Sequence, residues 1–163
     1  YGSSAARYIN DRHSHYPFIE YTEGIFLGYR GIDKFGQEPM YPFGYGLTYS
    51  TFDYSDLKVE KIDGNVEVSF TIRNTGRVEA AEAAQVYVEP VNPSTARPTR
   101  ELKEYAKVKL APGKSQEVTL TLPASAFSYY DIKSHDWVVD HVSYKIQVGA
   151  SALDIKLEAP VEY

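Results

Sequence analysis

Four carboxylates, Glu20, Glu23, Asp33 and Glu38, stand among aromatic residues in the first third of the chain. Glycoside cleavage needs two carboxyl groups about 5–10 Å apart, one to protonate and one to attack or activate water. Apolar surroundings raise a carboxyl pKa toward that of a general acid. No shared rigid element places two of these groups together, so the plainer role is expected, bonding backbone amides or arginines in irregular chain. His13-Ser14-His15 could let two imidazoles share a metal on an extended segment. Neither a third ligand nor a suitably spaced carboxylate accompanies them, so a solvated loop is expected. Ser and His occur without a G-x-S-x-G elbow, which removes the usual hydrolase nucleophile. Gly44-Tyr45-Gly46 resembles the start of a phosphate loop, but Tyr49 occupies the third glycine position and no helix or Lys follows. Tight turns packed between rings explain these glycines. Asp136 precedes Trp137, and the following Val138 and Val139 read as strand, so Trp137 is expected to fill or cap a core. Tyr87 and Tyr105 fall on the polar parity of their strands and could make a two-ring sugar platform, although single surface tyrosines are ordinary. These residues supply no catalytic or metal-binding set, identify no substrate-binding residues and call for no cofactor.

The whole chain sets bounds on the elements that could position a site. It has 163 residues, 43% hydrophobic and 24% charged, which is a globular composition. The formal net charge of −5, from 17 basic and 22 acidic residues, argues against a nucleic-acid partner. No run of about 18 apolar residues is long enough for a membrane-spanning helix, so no membrane partner is expected. The absence of Cys excludes disulfides and thiolate chemistry without fixing a compartment. The sequence opens with Tyr1 and its single Met is Met40, so a processed product or a piece of something longer is expected.

Aromatics divide the chain in two. Residues 1–54 hold nine Tyr and five Phe, 14 of the 23 aromatics, and no sustained period of 3.6 or 2. Irregular chain is expected there, with one short helix or strand around Glu23–Arg30. From about Leu57 the period becomes two. Val66, Val68, Phe70 and Ile72 alternate with Glu67, Ser69, Thr71 and Arg73; Val118, Leu120 and Leu122 alternate with Glu117, Thr119 and Thr121. The same alternation runs through Tyr105–Leu110 and Tyr144–Val148, with shorter matches at Leu57–Ile62, Gln85–Glu89, Trp137–Val139 and Leu153–Leu157. Asp63-Gly64-Asn65 predicts a tight hairpin, and Asn74-Thr75-Gly76 and Pro112-Gly113 further turns. Three prolines between Pro90 and Pro98 predict a loop or a crossover between sheets. Seven or eight short strands in about 100 residues make an all-β fold. It is read as a two-sheet β-sandwich of immunoglobulin or fibronectin III type, preceded by an irregular aromatic-rich segment. No Gly/Ser linker separates the two regions, so they are expected to pack on each other.

The run YTEGIFLGYRGID, followed by EPMYPFGYGLTYSTFDYSDL, resembles the C-terminal part of family 3 glycoside hydrolases, the β-glucosidase group. VEVSFTIRNTGRVEAAEAAQVYV, RPTRELKEYAKVKLAPGKSQEVTLTL, FSYYD and YKIQVGAS resemble that family's fibronectin-III-like domain. The resemblance implies an upstream catalytic barrel and an α/β domain, holding the nucleophilic Asp and the acid/base Glu. Neither catalytic position has a counterpart here, and Asp136-Trp137 only echoes the nucleophile motif. Two departures concern local geometry. Gly31 stands where the family more often has an aromatic, and Asp140-His141-Val142-Ser143 replaces a glycine turn, so a looser hairpin is expected there.

This reading assigns residues 1–50 to the end of an α/β domain plus a connector, and 54–163 to the sandwich. It implies an accessory role, not catalytic by itself, in an enzyme that hydrolyses terminal β-D-glucosyl or related residues with retention. The expected partners are the barrel and α/β domains, with carbohydrate reached only through them. Extracellular or periplasmic placement follows from the resemblance alone. The alternatives are a free-standing carbohydrate- or protein-binding module, and a small hydrolase using Glu20 or Glu23. Limited proteolysis is expected to trim about forty N-terminal residues and to leave a core starting near Tyr49.

Overall fold

A computed structural model describes the backbone at residues 6–9 and 18–163, and side chains from residue 22 onward. Seven strands form two antiparallel sheets. β3 (Phe52–Ile62), β4 (Asn65–Asn74) and β7 (Ser115–Leu122) lie in the order β3-β4-β7. β5 (Ala80–Pro90), β6 (Glu101–Leu110), β10 (Ser143–Ser151) and β11 (Asp154–Glu162) make the facing sheet, ordered β11-β10-β5-β6. Two ribbons stand apart, β1 (Ala6–Ile9) with β2 (Phe18–Tyr21), and β8 (Ser128–Asp131) with β9 (Asp136–Val139). Among the described residues one short α-helix, α1 (Tyr29–Lys34), precedes the sandwich. It overlaps only the end of the expected Glu23–Arg30 window.

The period of two becomes the core. Val66, Val68, Phe70 and Ile72 of β4 are buried against Val86 and Val88 of β5 and Ile146 and Val148 of β10. Asp63 and Gly64 both take positive φ, giving the two-residue hairpin between β3 and β4. In β3, Ser55 faces Thr71 while Lys58 faces Ser69, so one extra residue is inserted and Asp56 takes φ 59°. This bulge switches the inward parity. Phe52 and Tyr54 point to the core before it, Leu57 and Val59 after it.

The proline-rich stretch after Pro90 joins β5 to β6, neighbours in one sheet, so it is a loop and not a crossover. The expected hairpin at Asp140–Ser143 is a transition instead, because β9 pairs with β8 while β10 enters the four-stranded sheet. Ser94 donates to the Asp140 carboxylate from its backbone N–H (2.8 Å) and its hydroxyl (3.0 Å). Tyr144 donates its hydroxyl proton to the Asp140 carbonyl (2.7 Å). These bonds set the change of direction without a glycine. Buried Asn74 ties the end of the aromatic segment to the sandwich. Its side chain donates to the carbonyls of Val78 and Leu110 and accepts from Gly76 N–H and the Ser50 hydroxyl.

Burial raises the Tyr54, Tyr87 and Tyr144 hydroxyls above the ordinary phenol range, and the Glu82 carboxylate adds to the effect at Tyr54. The unfolded chain releases these protons near pH 10, whereas the folded chain holds them to higher pH. Their contribution to stability is therefore complete below about pH 10 and lost as pH rises toward the folded values. We predict that the denaturant midpoint falls above about pH 10, with a buried fraction of phenolate absorbance appearing only on unfolding. Ordinary titration of all 15 tyrosines in the folded protein would contradict this.

Candidate functional site

The middle of the four-stranded sheet is buried on both faces. Ala84, Val86 and Val88 point inward, yet Gln85 and Tyr87, on the opposite parity, are buried too, as is Gln147 of β10. The chain between Tyr29 and Ser50 lies over them.

A polar clasp holds that cover. Arg100 grips Asp33 of α1 with Nε (2.7 Å) and Nη2 (3.2 Å), and its Nη1 donates to Gln147 Oε1 (3.3 Å). The Gln147 amide nitrogen passes the network on to Glu89 (2.9 Å) and Glu158 (3.3 Å). The Tyr29 hydroxyl accepts from Leu102 N–H (2.9 Å), while its ring stacks on Phe43 and meets Tyr87 edge-on. Arg30 reaches Glu101 at 3.1 Å. Farther along, Ala152 N–H donates to the Phe43 carbonyl (2.9 Å). Gln85 donates to the carbonyls of Gly44 (3.2 Å) and Ala150 (2.9 Å) and accepts from the Tyr87 hydroxyl. Gly44 has φ 81°, which favours glycine, and a Cβ there would displace the Gln85 amide from its bond to the Gly44 carbonyl.

Three of the four carboxylates singled out in the sequence have described side chains, and each has a different setting. Asp33 is committed to Arg100. Glu38 is exposed. Glu23 tucks its carboxylate away from solvent, without a hydrogen-bond partner among the described residues. The side chain of Glu20, and His13-Ser14-His15, lie outside the described residues. Gly44 sits in a turn over Pro42–Tyr45, closed by Tyr45 N–H donating to the Pro42 carbonyl (3.0 Å), whereas Gly46 lies outside it.

Two aromatic expectations need correcting. Trp137 neither fills nor caps the core; it is 67% exposed on the β8–β9 ribbon. Tyr87 cannot share a platform with Tyr105, because the covering segment buries it completely while Tyr105 stays 63% exposed. Parity fixes which face a residue points to, not whether another stretch of chain covers that face.

The cover has an outer side of its own. Phe35, Met40, Tyr41, Tyr45, Leu47 and Tyr49 are exposed on it, Tyr49 at 98% and Leu47 at 89%. Six exposed apolar residues in one fifteen-residue stretch, with the Tyr41 and Tyr45 rings 5.3 Å apart, are the kind of surface that meets a partner. The clasp holds it over the outer face of the four-stranded sheet instead of leaving it to collapse.

These features define a fibronectin type III-like sandwich with a docked aromatic segment. The profile for "Fibronectin type III-like domain" matches residues 82–152. The chain is 43% identical over 147 residues to thermostable β-glucosidase B of Acetivibrio thermocellus, covering 88% of this chain and 20% of that protein. It is 45% identical over 138 residues to the exo-α-(1→6)-L-arabinopyranosidase of Bifidobacterium breve, covering 84% and 18% respectively. The solved GH3 β-glucosidase of Bifidobacterium adolescentis superposes with TM-score 0.88 at 39% identity, over 96% of this chain and 23% of that one. Across most of its own length the chain is similar to family 3 glycoside hydrolases, and it spans about a fifth of the length of the relatives it matches.

Arg100→Leu would leave the Asp33 carboxylate without its cation, a change worth about 3 kcal/mol at a largely buried pair. We predict that it speeds proteolytic cleavage within residues 29–45 by roughly a hundredfold. Residues 52–163 should stay protected. In the unaltered protein, protection should extend back to about Tyr29, not merely to Tyr49. Equal cleavage rates in the two proteins would show that the clasp holds nothing.

Proposed function

We propose that this chain is the C-terminal accessory portion of a family 3 glycoside hydrolase, and that its work is to brace the catalytic domains. In this reading residues 1–50 complete an α/β domain and connect it to the sandwich of residues 54–163. The whole enzyme removes terminal β-D-glucosyl or related residues with retention, through a glycosyl-enzyme intermediate formed upstream. Extracellular or periplasmic placement goes with that reading.

The observation that carries it is the immobilised apolar face of Phe35, Met40, Tyr41, Tyr45, Leu47 and Tyr49. Burying one such side chain stabilises by roughly 1.5–3 kcal/mol, so a few of them suffice for permanent docking of one domain on another. The relatives add support. A β-glucosidase and an arabinopyranosidase match this region almost equally, at 43% and 45% identity, as expected if sugar choice is made elsewhere.

The 163-residue chain alone should release no nitrophenol from p-nitrophenyl β-D-glucoside. Turnover that persists after repeated purification would overturn the accessory reading. In the full-length enzyme, Leu47→Asp with Tyr49→Asp should lower the melting temperature by several degrees and activity with it, since two apolar contacts become desolvated charges. An unchanged melting temperature would remove the bracing role.

A further inference from the structure

The β8–β9 ribbon carries aromatic residues that the bracing role does not use. Tyr130 and Trp137 are cross-strand partners, with ring centroids 5.8 Å apart and planes at 75°. Both are exposed, Tyr130 at 48% and Trp137 at 67%. They share the ribbon face that begins at its base with Ser128 and Val139, beside the core, and continues outward past it.

The ribbon is built to stay rigid. Arg97, itself buried, donates to the carbonyls of Phe127 and Ser128 at 3.4 Å and sits over the Tyr129 ring. Ser94 and Tyr144 fix the other strand's exit at Asp140. The tip turn is closed by the Asp131 carboxylate, which accepts from the N–H groups of Lys133 and Ser134 and from the Ser134 hydroxyl.

This surface is separate from the apolar cover. The cover's Phe43 meets Ala152 just beyond the end of β10, whereas the ribbon is anchored near its start at Tyr144. A nine-residue strand puts roughly 25 Å between the two.

We propose that Trp137 and Tyr130 form a binding platform for β-glucan chains. A pyranose ring offers a flat apolar C–H face and a polar rim. An exposed indole supplies the complementary apolar plane, and the perpendicular phenol brackets the sugar's edge. Because the ribbon is already ordered, binding loses little conformational entropy, which suits a weak ligand of repeating units. The choice of a glucan rests on the proposed glycosidase function; the existence of a platform does not.

Trp137 is the chain's single tryptophan, so its fluorescence reports on the site directly. Titrating the 163-residue chain with cellopentaose or laminaripentaose should shift the emission to shorter wavelength and protect it from acrylamide quenching. Tyr130→Ala should weaken the affinity on the order of tenfold, and Trp137→Ala should abolish retention on insoluble β-glucan. Emission unmoved by either pentasaccharide at millimolar concentration, with equal retention of the Trp137→Ala chain, would overturn the proposal. So would a blue shift that follows protein concentration instead of sugar, because the pair would then be a self-association surface. The accessory reading is tested by nitrophenol release and full-length stability, so the two ideas can fail independently.

Discussion

The Asp33–Arg100 pair is the constraint on which the molecule's upper layer depends. Arg100 stands in the loop just before β6, where a guanidinium would ordinarily be solvated. Here it is largely covered, and a covered cation needs an anion and filled hydrogen bonds. Asp33 supplies both through a two-point grip, and Gln147 takes the remaining edge. Gln85 and Tyr87 face the same requirement. Each is buried, so each needs a partner, and the carbonyls of Gly44 and Ala150 provide for the Gln85 amide. The sheet's outer face thus specifies the path of the segment above it.

A segment held by polar bonds can leave its apolar residues exposed. Without the clasp, a stretch carrying Phe35, Met40, Tyr41, Tyr45, Leu47 and Tyr49 would gain by folding those groups inward. With it, they stand as a fixed surface. Stability within the sandwich and readiness for a neighbour are in this way assigned to different residues, the clasp with Tyr29 and Phe43 beneath and the exposed apolar residues above. The placement suits a family in which the matched region is about a fifth of the whole chain.

The alternation in β4 was legible because a strand with one buried and one wet face must place apolar residues at every second position. Asp63-Gly64 was legible because few residues accept two consecutive positive φ values. Tyr87 and Trp137 misled in opposite directions. The rule that polar parity means solvent assumes nothing lies over the sheet, and the Tyr29–Ser50 stretch lies over Tyr87. The rule that a large apolar residue in a strand means core assumes the strand belongs to the sandwich, and β9 projects from it. The bulge at Asp56 was equally hidden. Phe52, Tyr54, Leu57 and Val59 satisfy no single period, and only pairing with β4 shows where the extra residue sits.

By itself, then, the sequence determined what is local or periodic: the strands, the tight turns, the sandwich class, and the concentration of rings ahead of it. It also carried enough ordered motif to indicate the family. Tertiary structure alone decided which carboxylate meets which cation, which face of β5 is covered, and which rings remain outside. Those outcomes join residues far apart in the chain, such as Asp33 with Arg100 and Gly44 with Gln85. A contact at that separation depends on how the intervening chain folds, and no short window of sequence records it.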